Sequence, residues 1–294
     1  MNPAIIIPDP IHKDYKQYIL SILPKLTHVN RLDILILTPI THTSQLNQTL
    51  STYYQLVRTH IEENLDTFSY LFETNIIFNQ TSSQINHLAI HKWSHIHSPI
   101  PIPNIPQSLK LPLIDIDIPD IDELEGNGKV NGEFRVSAVG GTFDHLHDAH
   151  KILLSLAYFV TKEKLIIGIT NEELLKKKKF KDVLESFDKR MCNVLGFLKL
   201  LNGIGIRVEV FSINDVCGPT GYIPDIQSLI VSEETISGAS FVNDFRRKKG
   251  FGELEVVEIK VIGDDESSLE NSWKGKLSST DIREREYNRL VLNK

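Results

Sequence analysis

Short runs of consecutive apolar residues recur along this chain, separated by longer stretches in which apolar positions return every three or four residues. In the second half the runs cover residues 134–139, 164–170, 206–211, 228–232 and 254–262. Each reads as a strand covered on both faces. Between them, Ile152, Leu153, Leu156, Phe159 and Val160 fall on one helical face, as do Met191, Val194, Leu195 and Leu198. Residues 238–249 read as a further helix. A short one starts at Asn171 and Glu172 and runs into the lysines at 176–181. Strands alternating with helices predict an α/β fold with a doubly wound, parallel, five-stranded sheet. Such sheets bind ligands beyond the carboxyl ends of their strands, where the strand order switches direction.

The first half repeats the rhythm on a smaller scale. Residues 4–7, 32–37, 74–78 and 88–93 read as strands, and 12–23 and 43–66 as helices. This predicts a smaller N-terminal α/β domain over residues 1–98. No glycine-rich loop follows its strands; Pro8-Asp-Pro10 follows the first, a rigid turn short of N–H donors. Its role is expected to be packing or interaction. His87, His91 and His95 recur every four residues. A helix would place them on one face as metal ligands, but the alternation that follows, ending at Pro99, argues against one. Residues 99–132 are proline-rich, then acidic, and read as a linker that is stiff at first and then able to lie against a domain. The second domain is assigned to 133–294.

Charge and composition narrow the function classes. The chain has 294 residues and a net charge of −6, which argues against general nucleic-acid binding. Residues 1–130 hold 8 Lys and Arg against 13 Asp and Glu, so much of the negative excess lies there. Cys192 and Cys217 form no CxxC pair, consistent with a reducing compartment. No run approaches the ~18 apolar residues of a membrane span, and the first residues lack the pattern of a secretory signal. A cytoplasmic protein is expected.

The chemistry concentrates at the first strand of the second domain. Gly140 and Gly141 are expected to turn the backbone, since glycine accepts positive φ cheaply, and Asp148 to cap the next helix. That helix N-terminus, with Thr142, His145, His147 and His150 around it, suits a phosphate. Three imidazoles could also ligate a metal, although no cysteine or carboxylate completes a familiar zinc spacing. Three further clusters follow: the lysine run 176–181; Val231–Ala239 with Asn243, Arg246 and Arg247; and Lys276-Leu-Ser-Ser-Thr-Asp-Ile-Arg283, whose hydroxyls open a C-terminal helix. Each has a plain alternative, a solvated helix end for the lysines and ordinary capping for the hydroxyls. A P-loop is excluded, because Glu270 and Leu277 stand where glycine and a hydroxyl residue are needed.

Gly141-Thr-Phe-Asp-His-Leu-His-Asp-Ala-His150 resembles the GTFDxxHxGH signature of the nucleotidylyltransferase superfamily, with Ala149 in place of the second glycine. Lys276–Arg283 resembles its ISSTxIR signature. Val231-Ser-Glu-Glu-Thr235 and Asn243-Asp-Phe-Arg246 resemble the eukaryotic phosphopantetheine adenylyltransferases. The resemblance covers roughly residues 133–292 and implies a Rossmann-like fold. It implies transfer of AMP from ATP to 4′-phosphopantetheine, giving dephospho-coenzyme A and pyrophosphate, with Mg²⁺ arriving on ATP. By that resemblance His150 stabilises charge on the α-phosphate and Thr142 seats the reacting phosphate. Gly140, Gly141, Phe143 and His147 line the ATP site. Lys178, Lys179 or Lys181 reaches a phosphate, with Lys181 placed in the catalytic set. Arg246 and Arg283 also bind phosphate, and Ser278, Ser279 and Thr280 grip the β- and γ-phosphates. Partner enzymes of coenzyme A synthesis could dock on the N-terminal domain. A cytidylyl- or nicotinamide-mononucleotide transferase is the nearest alternative, although the RTEGIST-type motif is missing. A non-catalytic scaffold is another, against which the intact His150 and Ser-Ser-Thr stand.

Overall fold

The computed structural model describes residues 1–26, 29–64, 69–103, 105–114, 116–201, 205–259 and 277–292. They form two compact units, Met1–Gly128 and Lys129–Lys294. Both are α/β, each built on an all-parallel sheet.

The first unit holds β1 (Asn2–Ile7), β2 (Arg31–Ile36), β3 (Glu73–Ile77) and β4 (Trp93–His97) in the order β3-β2-β1-β4. Ile5, Ile6 and Ile7 are all fully buried, as a central strand covered on both faces requires. Helices α1 (Lys16–Ile22), α2 (Thr43–Asn64) and α3 (Ser82–His91) connect the strands. Two expectations fail here. Of residues 88–93 only Trp93 is in a strand, the start of β4, because Thr81 and Gln84 form a capping box that starts α3. Leu88 and Ala89 are then buried at helical positions while Ile90 points outward, 50% exposed. Helix α1 also starts four residues later than the 12–23 pattern suggests. Most of the stretch 99–132 lies against the first unit. Residues up to 128 belong to the first unit: Ile121 N–H donates to the His12 carbonyl, and Gln45 Nε2 donates to that of Leu124.

The second unit holds β5 (Phe134–Gly141), β6 (Thr161–Thr170), β7 (Arg207–Ile213), β8 (Ser228–Ser232) and β9 (Glu255–Ile259) in the order β7-β6-β5-β8-β9. All five expected strands are present; residues 260–262 of the last lie outside the described residues. Alternate residues of β5 divide between the two faces. Val136 and Ala138 join Ile166, Leu229 and Val231 in a core with Ala239 and Val242 of α7 (Ile236–Lys248). Helix α4 (Asp148–Val160) packs on β5, β6 and β8, and α6 (Phe187–Leu201) on α4 and β6. In α6 the inward positions are Arg190, Val194, Phe197, Leu198 and Leu201. Leu195, expected inward, is 38% exposed. The expected helix from 171 into the lysine run shrinks to α5 (Glu172–Leu175), with the lysines in a loop after it. The last element among the described residues is α8 (Ser279–Leu292).

Connections run from β5 outward to β6 and β7 on one side, then return to β8 and β9 on the other. The switch point therefore lies between β5 and β8.

Candidate active site

A cavity of about 310 Å³ opens at that switch point. Its walls come from the end of β5 (Gly140 to Phe143), the start of α4 (His147, Ala149, His150, Leu153), the end of β8 (Ser232, Glu233, Thr235), the start of α8 (Leu277 to Thr280, with Arg283), and Lys178. Two helix N-termini face one space, and both favour an anion.

The turn after β5 is built differently from the expectation. Gly140 and Gly141 remain in the strand with ordinary φ; the left-handed residues are Phe143 (φ 51°) and His145 (φ 46°). Gly141 serves by lacking a side chain, since a Cβ there would lie 3.0 Å from the Phe143 ring. That ring folds back fully buried and sets its edge against His150, with centroids 5.4 Å apart. Such backbone is tolerated only when its surroundings hold it. Arg190, 2% exposed, donates Nη1–H to the carbonyls of Thr142 (2.8 Å) and Thr170 (2.9 Å), and Nε–H to that of Glu185 (3.1 Å). Burial lowers the guanidinium pKa, opposed by the nearby Asp144 and Glu185 carboxylates. The Glu185 carboxylate accepts the His145 N–H at 2.8 Å. His145 thus ties the turn to the 183–185 loop, its Nε2 lying 2.9 Å from the Val183 carbonyl; it does not line the cavity.

The N-cap of α4 is His147, and Asp148 is the first helical residue, one position later than expected. His147 and His150 stack, with centroids 3.9 Å apart. Ser279 Oγ lies 3.3 Å from His147 Nε2, joining the two helix starts. Burial pushes the His150 imidazole well below its ordinary pKa, and His147 and Lys178 push the same way. His150 is therefore a neutral ring at physiological pH, able to donate one N–H without carrying a charge. No group of three or more His, Cys, Asp or Glu suited to a metal occurs among the described residues. His87 and His91 do lie close on α3, 4.5 Å between centroids, but His95 sits on β4.

The α8 hydroxyls divide by role. Ser278 is a cap: its Oγ and N–H both donate to Asp281 Oδ2, and Asp281 N–H donates back to its Oγ. Ser279 Oγ donates to the Asp144 carbonyl. Thr280 Oγ1 accepts from Arg283 at 3.1 Å, so its own proton can be donated into the cavity. Lys276 of this motif lies outside the described residues.

Other expected phosphate ligands are placed elsewhere. Of the lysine run, Lys178 lines the cavity; Lys179 and Lys181 are exposed and do not. Arg246 is fully buried at the opposite end of the sheet and donates to the carbonyls of Thr220, Ile223, Pro224, Ile226 and Gly252. It has no donor left for a phosphate. Arg283 touches the cavity wall, yet it is 1% exposed and bonded to Asp144 Oδ2 at 2.5 Å. The sequence reading missed Asp144, Glu185 and Arg190 as supports of the turn. Asp144 stands inside the first motif and could have been singled out there; the others carried no local signal.

Residues 138–285 match a family model described as Cytidylyltransferase-like. Over 163 residues the chain is 49% identical to a phosphopantetheine adenylyltransferase of Saccharomyces cerevisiae, covering 55% of this chain and 52% of that protein. It is 37% identical over 129 residues to one of Pyrococcus horikoshii, covering 44% of this chain and 80% of that protein. A Methanosarcina mazei enzyme of the same name is 37% identical over 126 residues, covering 42% and 79%. The chain thus spans about half the length of the yeast relative and most of the archaeal ones.

Proposed function

Because this chain belongs to the cytidylyltransferase-like family, we propose that it is a phosphopantetheine adenylyltransferase of coenzyme A synthesis. Like its relatives of that name, it would transfer AMP from ATP to 4′-phosphopantetheine. The observation that carries the reading is the convergence of His150, Lys178 and two helix N-termini on one cavity at the sheet's switch point.

The phosphate of 4′-phosphopantetheine attacks the α-phosphorus of ATP. A new P–O bond forms, the bond to the β-phosphate oxygen breaks, and pyrophosphate leaves with the electron pair. The nucleophile is already ionised near neutral pH, so catalysis rests on alignment and charge stabilisation. His150, held neutral and backed by Phe143, donates an N–H to an α-phosphate oxygen. Thr142, which lines the same cavity, seats the reacting phosphate. The backbone N–H groups at the start of α8 and the Thr280 hydroxyl hold the leaving pyrophosphate, and Lys178 adds a full positive charge. Glu233 is the carboxylate among the lining residues, and Asp144 is bonded to Arg283. The protein therefore offers Mg²⁺ few ligands; an ion arriving with ATP would find Glu233 as the carboxylate able to hold it and would supply charge neutralisation of the polyphosphate.

The second unit would carry the chemistry and the first would serve docking, with other coenzyme A synthesis enzymes as partners. No helix among the described residues is long and apolar enough to cross a membrane. Both cysteines are free thiols, which suits the cytoplasm. Pyrophosphate release tests the reading, with ATP or CTP offered against 4′-phosphopantetheine, nicotinamide mononucleotide and phosphocholine. Turnover with ATP and 4′-phosphopantetheine alone is expected. Preference for another pair would replace the proposal.

A further inference from the structure

We infer that Arg283 is a positioning residue, which holds the lysine loop so that Lys178 enters the cavity, and not a ligand of the phosphates. The inference rests on the reaction proposed above, and it assigns Arg283 a different part in it from the one its motif implies.

Three of the five guanidinium N–H groups, one on each nitrogen, are already committed within the protein. Nη1 donates to Asp144 Oδ2 at 2.5 Å, Nε to the Lys179 carbonyl at 2.9 Å, and Nη2 to Thr280 Oγ1 at 3.1 Å. Both members of the ion pair are buried, Asp144 at 0% and Arg283 at 1% exposed. A planar fork spreads its donors over three nitrogens and so reaches three separated partners at fixed angles, whereas the three donors of an ammonium all leave from one atom. Asp144 is the hub. Its Oδ2 takes Arg283, its Oδ1 takes the Glu185 N–H at 2.9 Å, and its own carbonyl takes Ser279 Oγ. One buried carboxylate thus links the turn after β5 to both ends of the loop 179–185.

The Lys179 carbonyl matters because of its neighbours. On one side is Lys178, which lines the cavity; on the other is Phe180, a non-glycine residue at φ 52°. Phe180 packs against Tyr287, one turn beyond Arg283 on α8, with ring centroids 5.6 Å apart. The loop is therefore clamped to α8 at two adjacent residues, one by its backbone and one by its ring. Without the clamp, left-handed backbone at a phenylalanine is unfavourable, and five lysines in six positions repel one another. Lys178 would then leave the cavity wall.

Two readouts on the full chain test this, one independent of activity. The first is limited trypsin digestion without ligand, with the cut sites mapped by mass. Arg283→Gln and Arg283→Lys should both speed cleavage within 176–181 by about tenfold, as local opening does when a buried link is lost. The second is kcat/KM for ATP and 4′-phosphopantetheine. Lysine keeps the charge a phosphate ligand needs but loses the fork, so Arg283→Lys should fail nearly as badly as Arg283→Gln. The loss from Arg283→Gln should also not multiply with that from Lys178→Ala. Tyr287→Ala leaves the guanidinium in place and keeps the test decisive if an Arg283 variant fails to fold. It too should expose the loop to trypsin and lower kcat/KM. Unchanged trypsin cutting in a folded variant, rescue by lysine, or multiplying losses would overturn the inference. If the chain proves inactive on these substrates, the proposed reaction fails, while the digestion still decides whether Arg283 holds the loop.

Discussion

His150 lies face to face on His147, with ring centroids 3.9 Å apart and 26° between the planes. Two imidazoles so close cannot both carry a charge cheaply, and burial acts on His150 in the same direction. The pair thus supplies a fixed neutral N–H at the mouth of α4, where charge would develop on the α-phosphate. His150→Ala should lower kcat by about 10²–10³-fold with a modest change in KM for ATP, as loss of one transition-state donor does. Steady-state kinetics on the folded variant checks it; an unchanged kcat removes His150 from the mechanism.

Of the five lysines in 176–181, Lys178 lines the cavity. Single alanine substitutions should give an uneven series. Lys178→Ala should lose about 10- to 100-fold in kcat/KM, as removal of a charge-assisted contact does, while the other four stay near wild type. Five equal losses that disappear in high salt would instead mean a diffuse steering patch.

Arg246 should matter for stability and not for binding. Its replacement by glutamine leaves buried carbonyls unsatisfied, a loss of about 3–5 kcal/mol. The denaturation midpoint should fall while KM for ATP holds steady in the protein that remains folded. A raised KM at unchanged stability would return Arg246 to the site.

Every residue lining the candidate site lies within Lys129–Lys294. A fragment of residues 129–294 should therefore fold and catalyse alone. If it is folded but inactive, residues 1–128 contribute to the chemistry.

His97, 5% exposed on β4, has its pKa lowered to about 4 by burial, with His95 and Lys25 adding to the effect. Its buried Nε2 has no hydrogen-bond partner among the described residues. The native unit therefore binds fewer protons at this ring than the unfolded chain does. This contribution is complete above the unfolded pKa near 6.5. It falls as the pH drops and is gone below about pH 4, a span of about 3 kcal/mol. Urea midpoints followed by Trp93 fluorescence, in a Trp273→Phe background, should decline from pH 7 to pH 4.5. His97→Leu should flatten that slope; an unaltered slope would assign it to other groups.

What the sequence determined by itself is whatever depends on neighbours within a few residues. Runs such as Ile5–Ile7 and Leu229–Val231 specify buried strands, because such residues have no other place to go. The spacing of Ile152, Leu153, Leu156 and Phe159 specifies a helix face. The order of the motifs around His150 and Ser279 locates the site at one switch point. Tertiary structure decided everything that depends on a partner far along the chain. Arg246 and Arg283 look alike in sequence, since each is the arginine that ends a motif. Carbonyls from residues 220–226 and 252 surround the first, and Asp144, 139 positions away, holds the second. Lys178 lines the cavity while Lys179 and Lys181 do not, a difference made by how the folded loop turns its backbone. Phe143 takes the left-handed backbone expected of a glycine because Gly141 leaves room for its ring. A long polar side chain has many partners within reach, and local sequence does not say which of them the fold brings there.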